Sequence, residues 1–246
     1  MNLIIDAGNS QIKWAIYSDK KQVIKNSVNN WDEFQEMSLT LRFPHIEAAI
    51  ISSVRKIPSD LHSSMKNSFS KFVELNHQLS LPISIKYKTP ETLGKDRIAA
   101  AVGGVALFPG SWVLIIDLGT AITLDLINEN AEFIGGNISP GMHLRFKALE
   151  QFTDDLPLVS PSSKTPFLGR TTTEAIQAGV QHGITYELEA YINTLVNKYN
   201  GLRVILTGGD ASAFVKNLKN TIFVVPDLVL DGLNLILEFQ KDSIRD

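Results

Sequence analysis

Apolar and polar positions change along the chain in a way that predicts strands and helices in alternation. Short apolar runs at residues 3–5 and 114–116 are typical of buried strands, and a second strand-like run follows each of them. The longest helix is predicted at residues 174–199, where Thr171 and Glu174 form a capping-box pattern. Strands and helices alternate to the end of the chain, so the sequence predicts an α/β fold.

The remaining elements are short. Residues 122–127 alternate apolar and polar positions, as a half-buried strand should, and residues 31–43 carry apolar side chains at helical spacing. Further strands are predicted at residues 12–17, 48–52, 73–75, 122–127, 132–134, 203–206 and 222–225. Further helices are predicted at residues 31–43, 61–72, 97–107, 142–151, 211–218 and 230–239.

The apolar run that ends in Asp-x-Gly occurs twice. Asp6 with Gly8 and Asp117 with Gly119 stand 111 residues apart in the chain. This offset is too long for a solenoid repeat and predicts two related domains, residues 1–110 and 111–246. Asp-x-Gly is also a common hairpin turn, but its occurrence twice, each time after a buried strand, weakens a purely structural interpretation.

Composition narrows the class of protein. The chain has 246 residues, of which 44% are hydrophobic, enough for a sizeable core. Its formal net charge of −3 argues against a protein held on nucleic acid by bulk charge, so no nucleic-acid partner is expected. The absence of cysteine excludes disulfides, zinc–thiolate sites and a cysteine nucleophile. Because no segment resembles a signal peptide or a membrane span, a cytoplasmic protein without a membrane partner is expected.

The two Asp-x-Gly turns are candidates for phosphate binding. Glycine lets the backbone approach a ligand closely, turn N–H groups can hold phosphate oxygens, and an Asp at the strand end can hold a cation. Neither a P-loop nor a Rossmann motif is present. Residues 207–210, Thr-Gly-Gly-Asp, could bind the adenosine end of a nucleotide or could be a simple turn with Asp210 as helix N-cap.

Five motifs, in this order, resemble those of the type III pantothenate kinase family of the acetate and sugar kinase/Hsc70/actin superfamily. They are Asp6-x-Gly8-Asn9-Ser10, Gly94-Lys95-Asp96-Arg97, Asp117-x-Gly119-Thr120-Ala121, Gly135-Gly136-x-Ile138-x-Pro140-Gly141 and Gly169-Arg170-Thr171-Thr172. The resemblance implies two similar ribonuclease H-like (actin-like ATPase) domains facing a nucleotide cleft. It also implies an enzyme that phosphorylates pantothenate with ATP to 4'-phosphopantothenate, the first step of coenzyme A biosynthesis.

The resemblance assigns ATP and cation roles to both hairpins. The phosphates of ATP would be held by Asp6, Ala7, Gly8, Asn9, Ser10, Gln11, Ile12 and Lys13. Asp6 would lie near Mg²⁺, directly or through water, and Thr120 would also contact ATP. Asp117 would ligate a monovalent cation, K⁺ or NH₄⁺.

The resemblance also implies a pantothenate site. Its residues would be Tyr87, Gly94, Lys95, Asp96 and Arg97, with Thr172 reaching the substrate from the neighbouring subunit of a homodimer. Asp96 would be the general base that takes the proton of the substrate hydroxyl. From the residues alone, Asp96 and Arg97 could equally be a helix N-cap and an exposed ion pair.

The sequence leaves three sets of alternatives open. The small residues of the long helix could face a second subunit or pack inside one subunit; they are Ala175, Ala178, Gly179 and Gly183. His143 stands where the family often has Arg, which leaves its role and that of Arg145 undecided. The chain could also be a kinase of the same fold for another small alcohol, or a transcription accessory factor of the family without kinase activity.

Overall fold

Alternating strands and helices make up the part of the chain that the computed structural model describes, residues 1–18 and 20–242. The strands are β1 (Asn2–Ala7), β2 (Ile12–Ser18), β3 (Lys21–Val28), β4 (Ala48–Ser53), β5 (Lys71–Glu74), β6 (Ser84–Ile85), β7 (Val113–Leu118), β8 (Ala121–Ile127), β9 (Glu132–Pro140), β10 (Arg203–Thr207) and β11 (Ile222–Val224). The helices are α1 (Trp31–Glu36), α2 (Leu39–Arg42), α3 (Ser59–Ser68), α4 (Lys95–Leu107), α5 (Met142–Gln151), α6 (Thr172–Lys198), α7 (Ala211–Phe214) and α8 (Leu228–Asp242). The α/β class predicted from the sequence is confirmed.

The chain divides into two compact units. The first comprises Met1–Pro109, Ala131–Phe133 and the chain from Asp227 onward, and the second comprises Gly110–Asn130 and Ile134–Pro226. The division into domains at residue 110 stays a prediction, and the compact units differ from it at Gly110 and in two longer segments. The larger difference is α8, which packs against α4, β1 and β4 and therefore belongs to the first unit.

The first unit is built on a sheet with the strand order β3-β2-β1-β4-β5. β1 pairs antiparallel with β2 and parallel with β4. Alternate residues of β1 and β4 pack against apolar side chains of α1, α2 and α3, while α8 lies against the same two strands. Burial on both faces explains why the sequence shows a continuous apolar run there rather than an alternating one.

Two helices of the first unit end earlier than the sequence predicts. The predicted helix at 31–43 is wrong in its continuity: it breaks into α1 and α2 at Ser38, whose φ of 47° lies in the left-handed region. The predicted helix at 61–72 is wrong at its end, because α3 stops at Ser68 and Phe69 is already extended. Both errors arise because apolar spacing continues across a change in backbone conformation.

The second unit contains strands in the order β11-β10-β7-β8-β9. β7 pairs antiparallel with β8 and parallel with β10. Apolar residues of α5, α6 and α7 pack on this sheet, where Ile116 of β7 forms one core with Ile184 and Leu188 of α6. The first residues of β9, Glu132 and Phe133, pair with β6 and lie in the first unit.

No helix in the described part of the chain has both the length and the hydropathy that crossing a membrane requires.

Candidate functional site

The first Asp-x-Gly segment forms the turn between β1 and β2. Asp6 pairs across the hairpin with Lys13 and Ala7 with Ile12, which leaves residues 8–11 as the turn. The N–H of Gly8 donates to the carbonyl of Gln11 at 3.0 Å, closing the turn. Asp6 is half-buried while residues 9–11 are exposed, so a ligand could reach the backbone of the turn.

The second Asp-x-Gly segment forms the corresponding turn between β7 and β8. Asp117 pairs with Thr123 and Leu118 with Ile122, so this turn is one residue shorter. The N–H of Gly119 donates to the carbonyl of Ala121 at 3.2 Å. The structure thus confirms a strand, a glycine turn and a strand at both copies of the sequence pattern.

The turn at residues 207–210 packs directly against the second hairpin. Gly208 has a φ of 90°, and a Cβ there would come within 2.6 Å of the backbone of Leu118 and would overlap the Asp117 carboxylate. The N–H of Asp210 donates to the carbonyl of Leu118 at 3.0 Å. Only glycine fits at position 208, and its missing side chain gives the Asp117 carboxylate room on that side.

The N-terminus of α5 approaches the same hairpin. The N–H of Gly141 donates to the carbonyl of Thr120 at 3.0 Å, and a Cβ at 141 would come within 2.6 Å of that carbonyl oxygen. Thr120 itself is exposed. Three glycine-containing segments, which the sequence places far apart, therefore meet around Asp117 and Thr120.

His143 and Arg145 differ in their surroundings. His143 is mostly exposed, with its Nε2 4.0 Å from Oδ1 of Asp210. Burial raises the pKa of the Asp210 carboxyl, and the charge of His143 opposes that shift. Arg145 donates through Nε to the carbonyl of Pro140 at 2.8 Å and forms an ion pair with Glu187 of α6. Arg145 thus joins α5 to α6, whereas His143 is an exposed residue near Asp210.

Two predicted substrate residues lie close together in the first unit. The guanidinium carbon of Arg97 is 5.8 Å from the ring centroid of Tyr87 and 5.7 Å from that of Phe133. Arg97 is only 5% exposed. The N–H of Lys86 donates to the carbonyl of Phe133 at 2.9 Å, which fixes Tyr87 beside Phe133. The sequence missed Phe133, because a buried aromatic residue in a strand gives no functional signal.

Asp96 lies in the first turn of α4. The N-cap position is Gly94, and Oδ1 of Asp96 accepts a hydrogen bond from the N–H of Arg97 at 2.9 Å. A Cβ at position 94 would lie 2.6 Å from that oxygen, so Gly94 gives the carboxylate its room. The alternative of an N-cap Asp96 with an exposed Arg97 is therefore wrong. The remaining member of the motif, Lys95, has its Nζ 3.7 Å from a carboxylate oxygen of Glu74.

Thr172 is the first residue of α6 and is exposed. The predicted cap is confirmed, since the Thr171 hydroxyl accepts from the N–H of Glu174 at 3.2 Å. The carboxylate of Glu174 accepts in turn from the N–H of Arg170 at 2.8 Å, one residue before the cap. These bonds hold the start of α6 in place and leave Thr172 at the surface of the second unit.

One face of α6 forms an apolar groove in the second unit. It is lined by Phe167, Leu168, Ala175, Ala178, Gly179, His182, Gly183 and Tyr186. Phe167 and Leu168 are 72% and 76% exposed. Among the described residues, nothing lies within 4 Å of a Cβ placed on Gly179 or Gly183. These two glycines therefore face open space rather than the interior of the subunit.

Neither Asp6 nor Asp117 belongs to a preformed cluster of ligands. Within residues 1–18 and 20–242, no group of three or more His, Asp or Glu side chains is placed to hold a metal ion. Mg²⁺ is commonly held by one or two carboxylates together with substrate phosphates, so a single half-buried Asp6 fits that ion. At the second turn, a Cβ placed on Gly119 would lie 3.2 Å from Oδ1 of Asp117 and 3.6 Å from the carbonyl oxygen of Ala121, so carboxylate and carbonyl oxygens lie near each other there.

Comparison with known proteins agrees with these observations. The model of the family described as type III pantothenate kinase matches residues 2–194. The type III pantothenate kinase of Christiangramia forsetii is 43% identical over 242 residues, covering 98% of this chain and 99% of that protein. The type III pantothenate kinase of Cytophaga hutchinsonii is 43% identical over 239 residues, covering 97% of this chain and 99% of that protein.

A solved structure gives the fold. A protein from Campylobacter jejuni, described as a Baf family transcriptional activator, matches with a TM-score of 0.64 at 22% identity, over 98% of this chain and 99% of that one. The mixed α/β architecture with two sheets is that of the actin-like ATPases and sugar kinases, which confirms the predicted fold family.

Proposed function

The chain belongs to the type III pantothenate kinase family, and on that premise we propose how its residues phosphorylate pantothenate with ATP in coenzyme A biosynthesis. The observation that carries this function is the likeness to curated type III pantothenate kinases along nearly the whole chain. The two glycine turns, with a carboxylate at each strand end, support the proposed placement of the triphosphate.

We propose that Asp96 is the general base. Its carboxylate would accept the proton of the primary hydroxyl while that oxygen bonds to the γ-phosphorus and the bond from phosphorus to the β–γ bridging oxygen breaks. The hydrogen bond from the Arg97 N–H fixes one carboxylate oxygen and leaves the other for the substrate. The N-terminal dipole of α4 also stabilises the negative charge of a residue in its first turn.

Arg97 and Tyr87 would bind pantothenate. The guanidinium of Arg97 lies against two aromatic rings, which restrict its rotation. A restricted guanidinium can give paired hydrogen bonds to a carboxylate with little further loss of entropy. Gly94 and Lys95 would complete this part of the site, at the start of α4.

The two hairpins would have different roles in binding ATP and its cations. Residues 6–13 would hold the phosphates through backbone N–H groups and Lys13, with Asp6 oriented toward Mg²⁺. Thr120 would contact the nucleotide, and Asp117 would hold a monovalent cation. When bound, these cations neutralise the charge of the phosphates during transfer. Positioning and electrostatic stabilisation would supply most of the rate enhancement.

Release of ADP in the presence of pantothenate, with 4'-phosphopantothenate identified by mass, tests this function. Wild-type protein is expected to turn over, and Asp96→Asn to lower kcat by about 10²- to 10⁴-fold while the Kd of ATP changes little. Pantothenate-independent ATP consumption would contradict the substrate assignment. An unchanged kcat for Asp96→Asn would contradict the general base but not the substrate.

We further propose a cytoplasmic homodimer in which the groove on α6 packs against its copy and Thr172 reaches the partner's pantothenate. The exposed Phe167 and Leu168, and the open space at Gly179 and Gly183, support a close approach of two helices. Light scattering on wild-type protein should give twice the chain mass. Gly183→Leu should give monomers, whereas a wild-type monomer would contradict the proposal.

A further inference from the structure

Arg55 lies in the loop after β4, and its side chain donates hydrogen bonds that hold the turn of the first hairpin. Its Nη2 donates to the carbonyl of Asn9 at 2.6 Å, and its Nη1 donates to the carbonyl of Asn29 at 2.7 Å. Its own backbone N–H donates to the hydroxyl of Ser53 at 3.1 Å, which fixes the loop from which the side chain extends. One guanidinium thus bridges the turn at residues 8–11 and the end of β3.

The second hairpin has the same restraint at the equivalent position. Thr120 follows its glycine as Asn9 follows Gly8, at the same offset of 111 residues. The carbonyl of Thr120 accepts from the N–H of Gly141 at 3.0 Å. Both copies therefore anchor the carbonyl of the residue after the glycine, one through an arginine side chain and the other through a backbone amide.

Anchoring this carbonyl determines the direction of the next N–H. A trans peptide is planar, and its C=O and N–H point in opposite directions. A donor on the Asn9 carbonyl therefore turns the N–H of Ser10 away from Arg55. The same geometry, applied to the Thr120 carbonyl, orients the N–H of Ala121. In a turn that binds phosphate, this orientation determines which amides face the ligand.

We propose that Arg55 is a positioning residue for the nucleotide: it fixes the Asn9–Ser10 peptide so that the turn presents its N–H groups to the phosphates of ATP. Arg55 acts through the peptide rather than by touching the phosphates. This inference rests on the proposed function, because it assumes that residues 6–13 hold ATP. A purely structural role, tying β3 to the loop after β4, is the competing explanation.

Nucleotide affinity separates these two roles. Arg55→Ala is compared with wild type and with Lys56→Ala, which removes a charge from the same loop at an exposed side chain. The measurements are the KM values for ATP and pantothenate, kcat, the calorimetric Kd of ADP and the thermal midpoint. Arg55→Lys keeps the charge but presents one amine in place of the two-armed guanidinium.

The proposal predicts that the affinity for the nucleotide changes while the affinity for pantothenate does not. Arg55→Ala should raise the KM of ATP and the Kd of ADP about tenfold, with the KM of pantothenate within about twofold of wild type. The values for Arg55→Lys should lie between those of wild type and Arg55→Ala, and the values for Lys56→Ala should match those of wild type. If Arg55→Ala does not fold, Arg55→Lys alone carries the comparison, and a raised Kd of ADP supports the proposal.

Unchanged nucleotide affinity in a folded Arg55 variant would overturn the positioning role. A lowered thermal midpoint with equal losses for both substrates would show the structural role instead and would also overturn it. If wild-type protein binds ADP but does not phosphorylate pantothenate, the proposed function fails while the Kd of ADP still decides the role of Arg55.

Discussion

The two hairpins share a sequence pattern and differ in what surrounds it. Four residues separate Ala7 from Ile12 in the first turn, and three separate Leu118 from Ile122 in the second. Asp6 pairs across the strands with Lys13, whereas Asp117 pairs with the uncharged Thr123. Directly paired residues lie on one face of the sheet, so Asp6 shares its face with a positive side chain and Asp117 with a neutral one.

Packing separates the hairpins further. Gly141 and Gly208 pack against the backbone of the second hairpin too closely for any side chain, although Thr120 itself is exposed. The first turn is exposed and is held by the side chain of Arg55. A repeated motif can thus keep its backbone and its carboxylate while different neighbouring residues pack around each copy. This difference fits our proposal of a phosphate-holding first copy and a cation-holding second copy.

The largest difference that we expect between the two hairpins is the loss of stability when a glycine is replaced by alanine. Gly208→Ala should lower the free energy of unfolding by about 3 kcal/mol or more, because it combines a left-handed backbone with overlap on Leu118. Gly8→Ala should change it by less than about 1 kcal/mol, since its Cβ would lie 3.6 Å from the Gln11 carbonyl. Urea unfolding measures both.

Gly209→Ala is the matched control for the second hairpin. Among the described residues, nothing lies within 4 Å of a Cβ at position 209, so this variant should unfold almost as wild type does. Equal losses for Gly208→Ala and Gly8→Ala would show that the second hairpin is no more tightly packed at Gly208 than the first is at Gly8.

Giving the first hairpin the charge pattern of the second should weaken ATP binding. Lys13→Thr removes the positive side chain paired with Asp6. Exposed charge interactions contribute about 1 kcal/mol or less, so the KM of ATP should rise about fivefold or less. The difference should shrink at high ionic strength because salt screens exposed charges. Lys21→Thr, on the exposed edge strand β3, is the control, and an equal effect there would refute a local role.

The smallest effect concerns Asp210, beside the second hairpin. Burial raises the pKa of its carboxyl, so the folded state binds this proton more tightly than the unfolded state does. The contribution of Asp210 to stability therefore falls as pH rises above the ordinary aspartate pKa of about 3.9. Asp210→Asn removes that dependence, so its stability relative to wild type should rise between pH 3 and pH 7 by about 0.5 kcal/mol or less. A pH-independent difference, measured by urea unfolding, would contradict the assignment.

The sequence predicted those parts of the fold whose residues are buried in a regular pattern. The runs at residues 3–5 and 114–116 and the cap at Thr171 are strong signals because each follows from local backbone geometry. β3 was missed because it is an edge strand with mostly exposed residues on both faces, which removes the alternation that predicts a strand. β6 was missed because two residues are too few to show a period.

For the site, the sequence predicted the turns but not what packs on them. The order of motifs gave no sign that Gly208 lies against Leu118, because that contact joins segments about 90 residues apart through the parallel pairing of β7 with β10. A single arginine after a strand likewise gave no sign that Arg55 reaches Asn9. Such contacts depend on tertiary packing, which one sequence does not show.

We propose that the two copies hold different cations, and a potassium titration distinguishes them. ADP release with saturating ATP and pantothenate is measured against K⁺ at constant ionic strength for wild type, Asp6→Asn and Asp117→Asn. We expect a saturable rise in rate for wild type, none for Asp117→Asn, and for Asp6→Asn an unchanged half-saturating K⁺ concentration with a higher requirement for Mg²⁺. A wild-type response to K⁺ in Asp117→Asn would show that Asp117 does not hold the monovalent cation.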